Sequence, residues 1–308
     1  IAPAFEPTSG ESMLKRIRFL ALAGACALAL SACNSADAVV RDYNQSDIAS
    51  YDTSSVAVNQ KIAAMVPTSV KADGKLTIGS NLYYAPADFK QGEMPVGYEM
   101  DVMRAVAARM GLKLDIQEST FDSILPGIPK KYEVGASAFT ITSERTANFN
   151  MIQYYKVGTS WAVATGNPTK FSPFSICGRT VGVQTGTLQD DEMAKKAKAC
   201  KKKPTVQRYG AQEDVTLALR GGKIEAMTAD SSVITYALSR TKGTLEGAGP
   251  TLEKAPQGIV VSKNDPALTS AVQASLQSLM DDGTLKKIFK SWNITEDVAT
   301  KALLNPEV

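Results

Sequence analysis

The side chains available for chemistry are limited by one absence, because the sequence contains no histidine. Catalytic sites that pair serine or cysteine with histidine, histidine general bases and histidine-containing metal sites are therefore excluded. The four cysteines show no metal-ligand spacing, and the sequence has no G-x-x-x-x-G-K-[ST] phosphate loop. An enzymatic site would have to use carboxylates, lysine, tyrosine or serine, and we expect neither a cofactor nor a metal.

The charge balance gives no support to nucleic-acid binding. The 34 Lys and Arg residues nearly match the 31 Asp and Glu residues, which leaves a net charge of +3. Nucleic-acid-binding surfaces usually need a strong basic field. The lysine-rich stretch 195–203 is typical of a solvated helix face and turn.

Two charged residues follow predicted strands or helix caps. Arg145 comes three residues after Thr142, whose hydroxyl can cap a helix, and Asp230 stands between a predicted strand and a predicted helix. Read alone, Arg145 is typical of an ion pair at a helix start, and Asp230 is typical of an N-cap. A ligand-binding role for Asp230 is equally open, because one carboxylate oxygen could cap while the other faces a cleft.

The chain that carries these residues alternates short strands and helices. Such alternation predicts α/β layers, with ligands bound at the carboxyl ends of strands. The predicted strands cover 76–79, 113–116, 134–138, 161–164, 181–183, 206–209, 225–229 and 258–261. The predicted helices cover 56–66, 100–110, 121–128, 214–220, 231–239, 268–281 and 285–292, with further short helices after Thr142 and after Thr187.

The first 33 residues have the pattern of a bacterial lipoprotein signal peptide, with Met13 as the expected start. A basic segment at 15–18 precedes the apolar run 19–30, which is shorter than the roughly 20 residues of a transmembrane helix. The run ends in Leu-Ser-Ala-Cys, which resembles a lipobox, so we expect Cys33 to carry a lipid after cleavage. The alternative is an ordinary signal peptide with a chance cysteine.

This leader predicts an extracytoplasmic protein anchored to the membrane by a lipid. Residues 34–72 are expected to form a flexible tether and a short helix. Cys177 and Cys200 remain in the exported part, where an oxidising setting permits a disulfide between them. Two buried free thiols are the alternative.

Eight segments between Lys75 and Trp292 occur in the order of a known family. They are IGSNLYYAPADF (78–89), GYEMDVMRAVAARMGLKLDI (97–116), FDSILPGI (121–128), SAFTITSER (137–145), GRTVGVQTGTLQ (178–189), EAMTADSSVITYAL (225–238), GIVVSKNDPAL (258–268) and DDGTLKKIFKSW (281–292). Together they resemble the family-3 solute-binding proteins of ABC importers for polar amino acids. Each segment is weakly specific, and the specificity comes from their order.

The resemblance implies a two-lobed α/β periplasmic-binding fold of type II, with two hinge crossovers and a ligand between the lobes. The crossovers are expected near 162–166 and 255–258. Lobe one would comprise residues 73–164 plus 255–308, and lobe two residues 165–254.

The same resemblance implies a binding site for a zwitterionic amino acid. The implied ligand-binding residues are Asn81, Tyr84, Phe121, Ala138, Phe139, Thr140, Arg145, Gly186, Thr187, Leu188 and Asp230. Arg145 would grip the carboxylate with its guanidinium fork, and Asp230 would bind the ammonium. The turn at Gly186 would offer backbone amides to an anion. Asn81 stands where cation-preferring members tend to carry Asp, which weakens the case for lysine or arginine as ligand.

The function implied is a monomeric substrate-binding lipoprotein that delivers an amino acid to the membrane permease of an ABC importer. Two alternatives share this fold. One is an enzyme of the dehydratase or lytic transglycosylase type, and the other is a ligand-sensing lipoprotein without a transporter.

Overall fold

Two long strands organise the computed structural model, which describes residues 50–308. They are β7 (Phe149–Ala164) and β12 (Leu252–Ser262), which pair antiparallel at the centre of a nine-stranded sheet. The other strands are β1 (Lys75–Ser80), β2 (Tyr83–Tyr84), β3 (Asp88–Gln91), β4 (Met94–Val96), β5 (Lys113–Glu118), β6 (Val134–Gly135), β8 (Thr180–Gln184), β9 (Thr205–Tyr209), β10 (Ala226–Asp230) and β11 (Leu245–Gly247). The large sheet has the order β5-β1-β6-β12-β7-β10-β8-β9, β11 pairs with β7, and β2-β3-β4 form a separate antiparallel sheet.

The large sheet has two parallel halves joined by the two antiparallel long strands. The first half contains β5, β1 and β6, and the second contains β10, β8 and β9. We expected the first crossover at 162–166, but β7 already pairs with β10 from Thr159 onward. The strand therefore enters the second half earlier than predicted. The register of β12 shifts between Gln257 and Gly258, at the predicted second crossover.

The helices fill the connections between strands. They are α1 (Gln60–Met65), α2 (Thr68–Lys71), α3 (Tyr98–Met110), α4 (Phe121–Gly127), α5 (Ser143–Asn148), α6 (Leu188–Ala199), α7 (Gln212–Arg220), α8 (Ser231–Arg240), α9 (Pro266–Asp281) and α10 (Thr284–Ser291), preceded by a 3₁₀ turn, Thr53–Ser55. Local signals set several ends. Gly111 ends α3 in the left-handed conformation, and the Thr142 hydroxyl accepts the Arg145 amide to cap α5.

Helix α3 is the most deeply buried helix of the first half. Its buried face includes Tyr98, Glu99 and Met103, each with no exposed surface. The helix can begin at Tyr98 because Gly97 has a φ of +135°, and a Cβ there would lie 1.9 Å from the Ala87 carbonyl oxygen. A glycine is therefore required where the chain turns to bring Glu99 under the sheet edge.

The apolar stripe predicted on α9 is confirmed. Val272, Leu276 and Leu279 have no exposed surface in the structure. Burying a side chain of this size contributes about 1.5–3 kcal/mol. In the second half, Trp161 packs against Phe171 with ring centroids 5.2 Å apart, within a separate cluster of buried side chains.

The disulfide between Cys177 and Cys200 is present, and their Cα atoms lie 5.3 Å apart. The predicted signal peptide, the lipid site at Cys33 and most of the tether lie outside the described residues. Within residues 50–308, no helix is both long enough and apolar enough to cross a membrane.

Candidate functional site

Asp230 lies where β10 ends and α8 begins, and only 3% of it is exposed. It occupies the N-cap position, but its side chain accepts no cap hydrogen bond from the described helix. Instead, Oδ1 accepts from Gln189 Nε2 at 3.0 Å, and Oδ2 accepts from Gln257 Nε2 at 2.8 Å. The Asp230 amide donates to the Tyr84 hydroxyl at 3.4 Å. The capping role that the sequence left open is therefore not used by this carboxylate.

Burial raises the pKa of Asp230 to about 6. Hydrogen bonds from Gln189, Tyr84 and Gln257 and the positive charge of Arg145 lower the pKa and offset part of this effect. The partners that touch the carboxylate are neutral, so its charge is held in place but is not neutralised. A cation placed beside Asp230 would complete its environment.

Arg145 lies in the first turn of α5, and its guanidinium spans the cleft. Nη1 donates to the Thr140 carbonyl at 2.8 Å, and Nη2 donates to the Gly186 carbonyl at 3.2 Å. A guanidinium has five N–H donors, so these two bonds leave others for an acceptor in the cleft. Burial lowers the pKa of Arg145, while the nearby Asp191 and Asp230 carboxylates raise it.

Two phenylalanines form a platform beneath Arg145. The rings of Phe121 and Phe139 are stacked with centroids 4.6 Å apart. The guanidinium carbon lies 5.7 Å from the Phe121 centroid and 5.5 Å from the Phe139 centroid. Aromatic faces attract a cation and stiffen its side chain, so the fork is held in one orientation.

The turn before α6 differs in detail from the expectation. Gly186 has a φ of +76°, and Thr187 is the N-cap whose hydroxyl accepts the Asp190 amide. We expected the Gly186 amide to be free for an anion, but it donates to Asp190 Oδ2 at 3.2 Å. The carboxylate three residues into the helix has satisfied this donor, as in a capping box. The Gly186 carbonyl, rather than its amide, faces Arg145.

Two neighbouring cavities lie along this cleft, and Phe121, Arg145 and Leu188 line both. The inner cavity has a volume of about 10 Å³, and the outer about 210 Å³. The inner cavity is lined by Tyr84, Phe121, Ser137, Ala138, Thr140, Arg145, Thr187, Leu188, Gln189 and Asp230. The outer cavity is lined by Phe121, Asp122, Leu125, Phe139, Thr142, Glu144, Arg145, Gly186, Leu188 and Asp191.

Ten of the eleven residues that the family resemblance implies line one or both of these cavities, and Asn81 lines neither cavity of the described chain. Asn81 Nδ2 donates to the Ser119 carbonyl at 3.1 Å, and its Oδ1 accepts from Gln184 Nε2 at 3.0 Å. The side chain joins the end of β1 to the end of β8. Like the contacts from Arg145 to Gly186 and from Asp230 to Tyr84, it connects the two halves across the cleft.

Sequence reasoning missed the residues that hold Asp230. Gln189 falls inside the quoted segment GRTVGVQTGTLQ, and Gln257 lies at the predicted second crossover, but neither was assigned a role. No local pattern marks a glutamine as the partner of a distant carboxylate. Among residues 50–308, no group of three or more acids or cysteines could hold a metal ion.

Comparison with known proteins identifies the family. The sequence model for bacterial extracellular solute-binding proteins of family 3 matches residues 76–295. The arginine-binding protein ArgT of Corynebacterium glutamicum is 35% identical over 254 residues, which cover 80% of this chain and 83% of ArgT.

Solved structures show the same fold. An ancestral arginine-binding protein bound to arginine superposes with a TM-score of 0.68 at 26% identity, covering 71% of this chain and 98% of that one. An ancestral amino acid-binding protein, a precursor of cyclohexadienyl dehydratase, superposes with a TM-score of 0.67 at 24% identity, covering 73% and 97% of the two chains. The mixed α/β periplasmic-binding fold expected from the sequence is thereby confirmed.

Proposed function

Because the chain belongs to the bacterial extracellular solute-binding proteins of family 3, we propose that it binds one free α-amino acid in the cleft between its two halves. The observation that carries this proposal is the placement of Arg145 and Asp230 around one cavity. The ligand carboxylate would meet Arg145, and its ammonium would meet Asp230. The zwitterionic head group of an α-amino acid would supply a negative partner for Arg145 and a positive partner for Asp230 at once.

The two halves act as lobes that close on the ligand. We assign the hinge to β7 near Thr159 and to β12 near Gln257, where the pairing changes. Lobe one then holds most of 73–158 and 258–308, and lobe two holds the residues between. Arg145 and Gly186 come from opposite lobes and meet across the cleft. A ligand that contacts both lobes would therefore favour the closed state.

Arginine is the first ligand to test. ArgT is an arginine-binding protein, and the outer cavity carries the carboxylates of Asp122, Glu144 and Asp191 near the cleft mouth. At the level of the sequence, the neutral Asn81 argued against a cationic ligand. In the structure the Asn81 amide is already bonded to Ser119 and Gln184, so it does not read the ligand side chain.

Delivery to a membrane permease and anchoring through a lipid on Cys33 complete the proposal. The family description is extracellular, which agrees with the leader-like sequence. We propose binding without catalysis, and a dehydratase-type activity is the second candidate because a structural neighbour is a precursor of such an enzyme. Release of product from prephenate or arogenate by the purified protein would support that second candidate instead.

A thermal-shift screen of the purified protein against the common amino acids tests the central claim. A ligand present at 100 times its Kd stabilises the folded state by about 2.7 kcal/mol. We expect L-arginine to raise the melting temperature most. A larger shift with another amino acid would replace arginine but keep the function, whereas no shift with any of them would refute amino-acid binding.

Removal of the carboxylate partner should weaken binding. The change Arg145→Ala leaves a carboxylate without its fork, which costs about 2–5 kcal/mol, or at least about thirtyfold in Kd. Calorimetry on the variant measures this loss. Arg179→Ala is the control, because Arg179 pairs with Glu225 away from the cavities and should change the Kd less than about twofold. Equal affinity of Arg145→Ala and wild type would exclude the assigned role.

Binding should weaken in acid. The pKa of Asp230 is raised to about 6 in the free protein, and a bound ammonium favours the ionised carboxylate. Affinity is therefore full above pH 6 and is lost as the pH falls, by about tenfold at pH 5. Calorimetry from pH 5 to pH 8 measures the profile, and Asp230→Asn should bind weakly with no step near pH 6. A flat wild-type profile would contradict the assignment of the ammonium to Asp230.

The lipid anchor has a separate test. Growth of a bacterial host with labelled palmitate should label the wild-type protein and retain it in the membrane fraction. Cys33→Ala should lose the label and leave the membrane, while Cys26→Ala, within the apolar run, should keep both. Labelling of Cys33→Ala would show that the lipid site lies elsewhere.

A further inference from the structure

A fully buried glutamine stands directly behind the ammonium side of the proposed site. Gln257 has no exposed surface, and it lies on β12 where the strand crosses between the halves. Its Nε2 donates to Asp230 Oδ2 at 2.8 Å. Gln257 lines neither cavity of the described chain, so a ligand in those cavities would not touch it. The Gln257 side chain reaches this side of the site through Asp230, while its backbone bridges Thr140, which lines the inner cavity.

The orientation of Gln257 follows from its carboxylate partner. An ionised carboxylate only accepts, so the Gln257 group beside Asp230 is the Nε2 amide. Its Oε1 then faces the opposite side, 3.3 Å from the Tyr98 hydroxyl and 3.3 Å from the Tyr154 hydroxyl, and both tyrosines are fully buried.

The chain of contacts continues to the opposite side of the site. The Tyr154 hydroxyl also lies 2.9 Å from Glu99 Oε1, and Glu99 Oε2 accepts the Ala138 amide at 2.6 Å. Ala138 lines the inner cavity with a φ of +52°, a conformation that costs energy for a residue with a side chain. Glu99 thus holds a strained loop that leads to Thr140 and Arg145.

Glu99 is itself stabilised by a second acid. Asp88 and Glu99 have no exposed surface, and the Glu99 charge raises the pKa of Asp88. Two neighbouring acids in a dry site disfavour a second negative charge. Burial accordingly raises the pKa of Asp88 well above its usual range and raises that of Glu99 to about 7. Hydrogen bonds from the Ala138 amide and the Tyr154 hydroxyl offset part of the cost of burying Glu99.

We propose that Glu99, Tyr154 and Gln257 form a buried positioning network that holds the ammonium-binding Asp230 and the carboxylate-binding loop at Ala138 in register. This inference rests on the proposed function. Gln257 orients Asp230, Glu99 fixes the loop, and Tyr154 joins the two. The network would act when the ligand carries both charged groups, because only then must both sides keep their spacing.

The two ends of the network can be separated with a pair of ligands. L-arginine carries both groups, whereas 5-guanidinopentanoate lacks only the α-ammonium. Gln257→Met keeps the length of the side chain but removes its donor. We expect this variant to bind L-arginine about tenfold more weakly and the analogue within about twofold of wild type. Glu99→Gln should weaken both ligands by similar factors, because both use the carboxylate loop.

The pH profile gives a second readout. The Gln257 hydrogen bond lowers the pKa of Asp230, as do Gln189, Tyr84 and Arg145, which also face it. Gln257→Met should therefore move the acid midpoint of L-arginine binding upward. A variant that merely loosened the fold would leave this midpoint in place.

Gln153→Met is the matched control, because Gln153 is a buried glutamine on β7, opposite Gly258, and lines neither described cavity. It should bind both ligands within about twofold of wild type. If Gln257→Met does not fold, as judged by urea unfolding, Tyr98→Phe removes one donor to Gln257 and should give the same pattern at smaller amplitude.

Unchanged L-arginine affinity of Gln257→Met and Glu99→Gln, or equal loss of both ligands with an unmoved midpoint in Gln257→Met, would overturn the network. Failure of the wild-type protein to bind L-arginine counts against the proposed ligand instead. The same variants are then measured with the amino acid that gives the largest thermal shift and with its des-amino form.

Discussion

Placement of two opposite charges along one cleft, the buried Asp230 and the partly buried Arg145, is the constraint on which the structure depends. Removing an ionised group from water costs several kcal/mol unless polar partners replace the solvent. Arg145 meets two carbonyl oxygens and two aromatic faces, and Asp230 meets two amide N–H groups. These direct partners are all neutral. They orient the charges without cancelling them, and under the proposed function a zwitterion would supply the two counter-charges.

The two long strands allow this placement, because they connect the halves from which the partners of Arg145 and Asp230 come. Gln257 on β12 and Thr159 on β7 stand where the strands cross, and Gln189 contacts both Thr159 and Asp230. Asp230 is therefore held by Gln257 at the crossing and by Gln189 in the first turn of α6. Under the proposed function, a change of angle at the crossing would alter the spacing between Asp230 and Arg145 and so couple closure to ligand geometry.

Features governed by neighbouring residues could be predicted from the sequence, and features governed by distant partners could not. The end of the helix predicted at 100–110 and the cap at Thr142 were identified, because each signal acts within one helical turn, whereas the capping role of Thr187 was not assigned. The early start of β7 at Phe149 was missed, since a strand buried on both faces shows no clear alternation. Family resemblance located the charged pair, but the role of Gln257 depends on a contact 27 residues away.

Asn81 shows that a residue implied by the resemblance can lie outside the described cavities and connect the two halves instead. Its Nδ2 donates to the Ser119 carbonyl and its Oδ1 accepts from Gln184, which also donates to the Gly210 carbonyl in the second half. An acid at Asn81 would face the Ser119 carbonyl without a donor, so the neutral amide suits a contact between the halves. A cationic ligand side chain must then find its counter-charge elsewhere. The exposed carboxylates of Asp122, Glu144 and Asp191 around the outer cavity are placed to supply it, at the modest strength of solvated ion pairs. Under the proposed function, the buried charges select for the amino-acid head group, and the outer cavity discriminates among side chains more weakly.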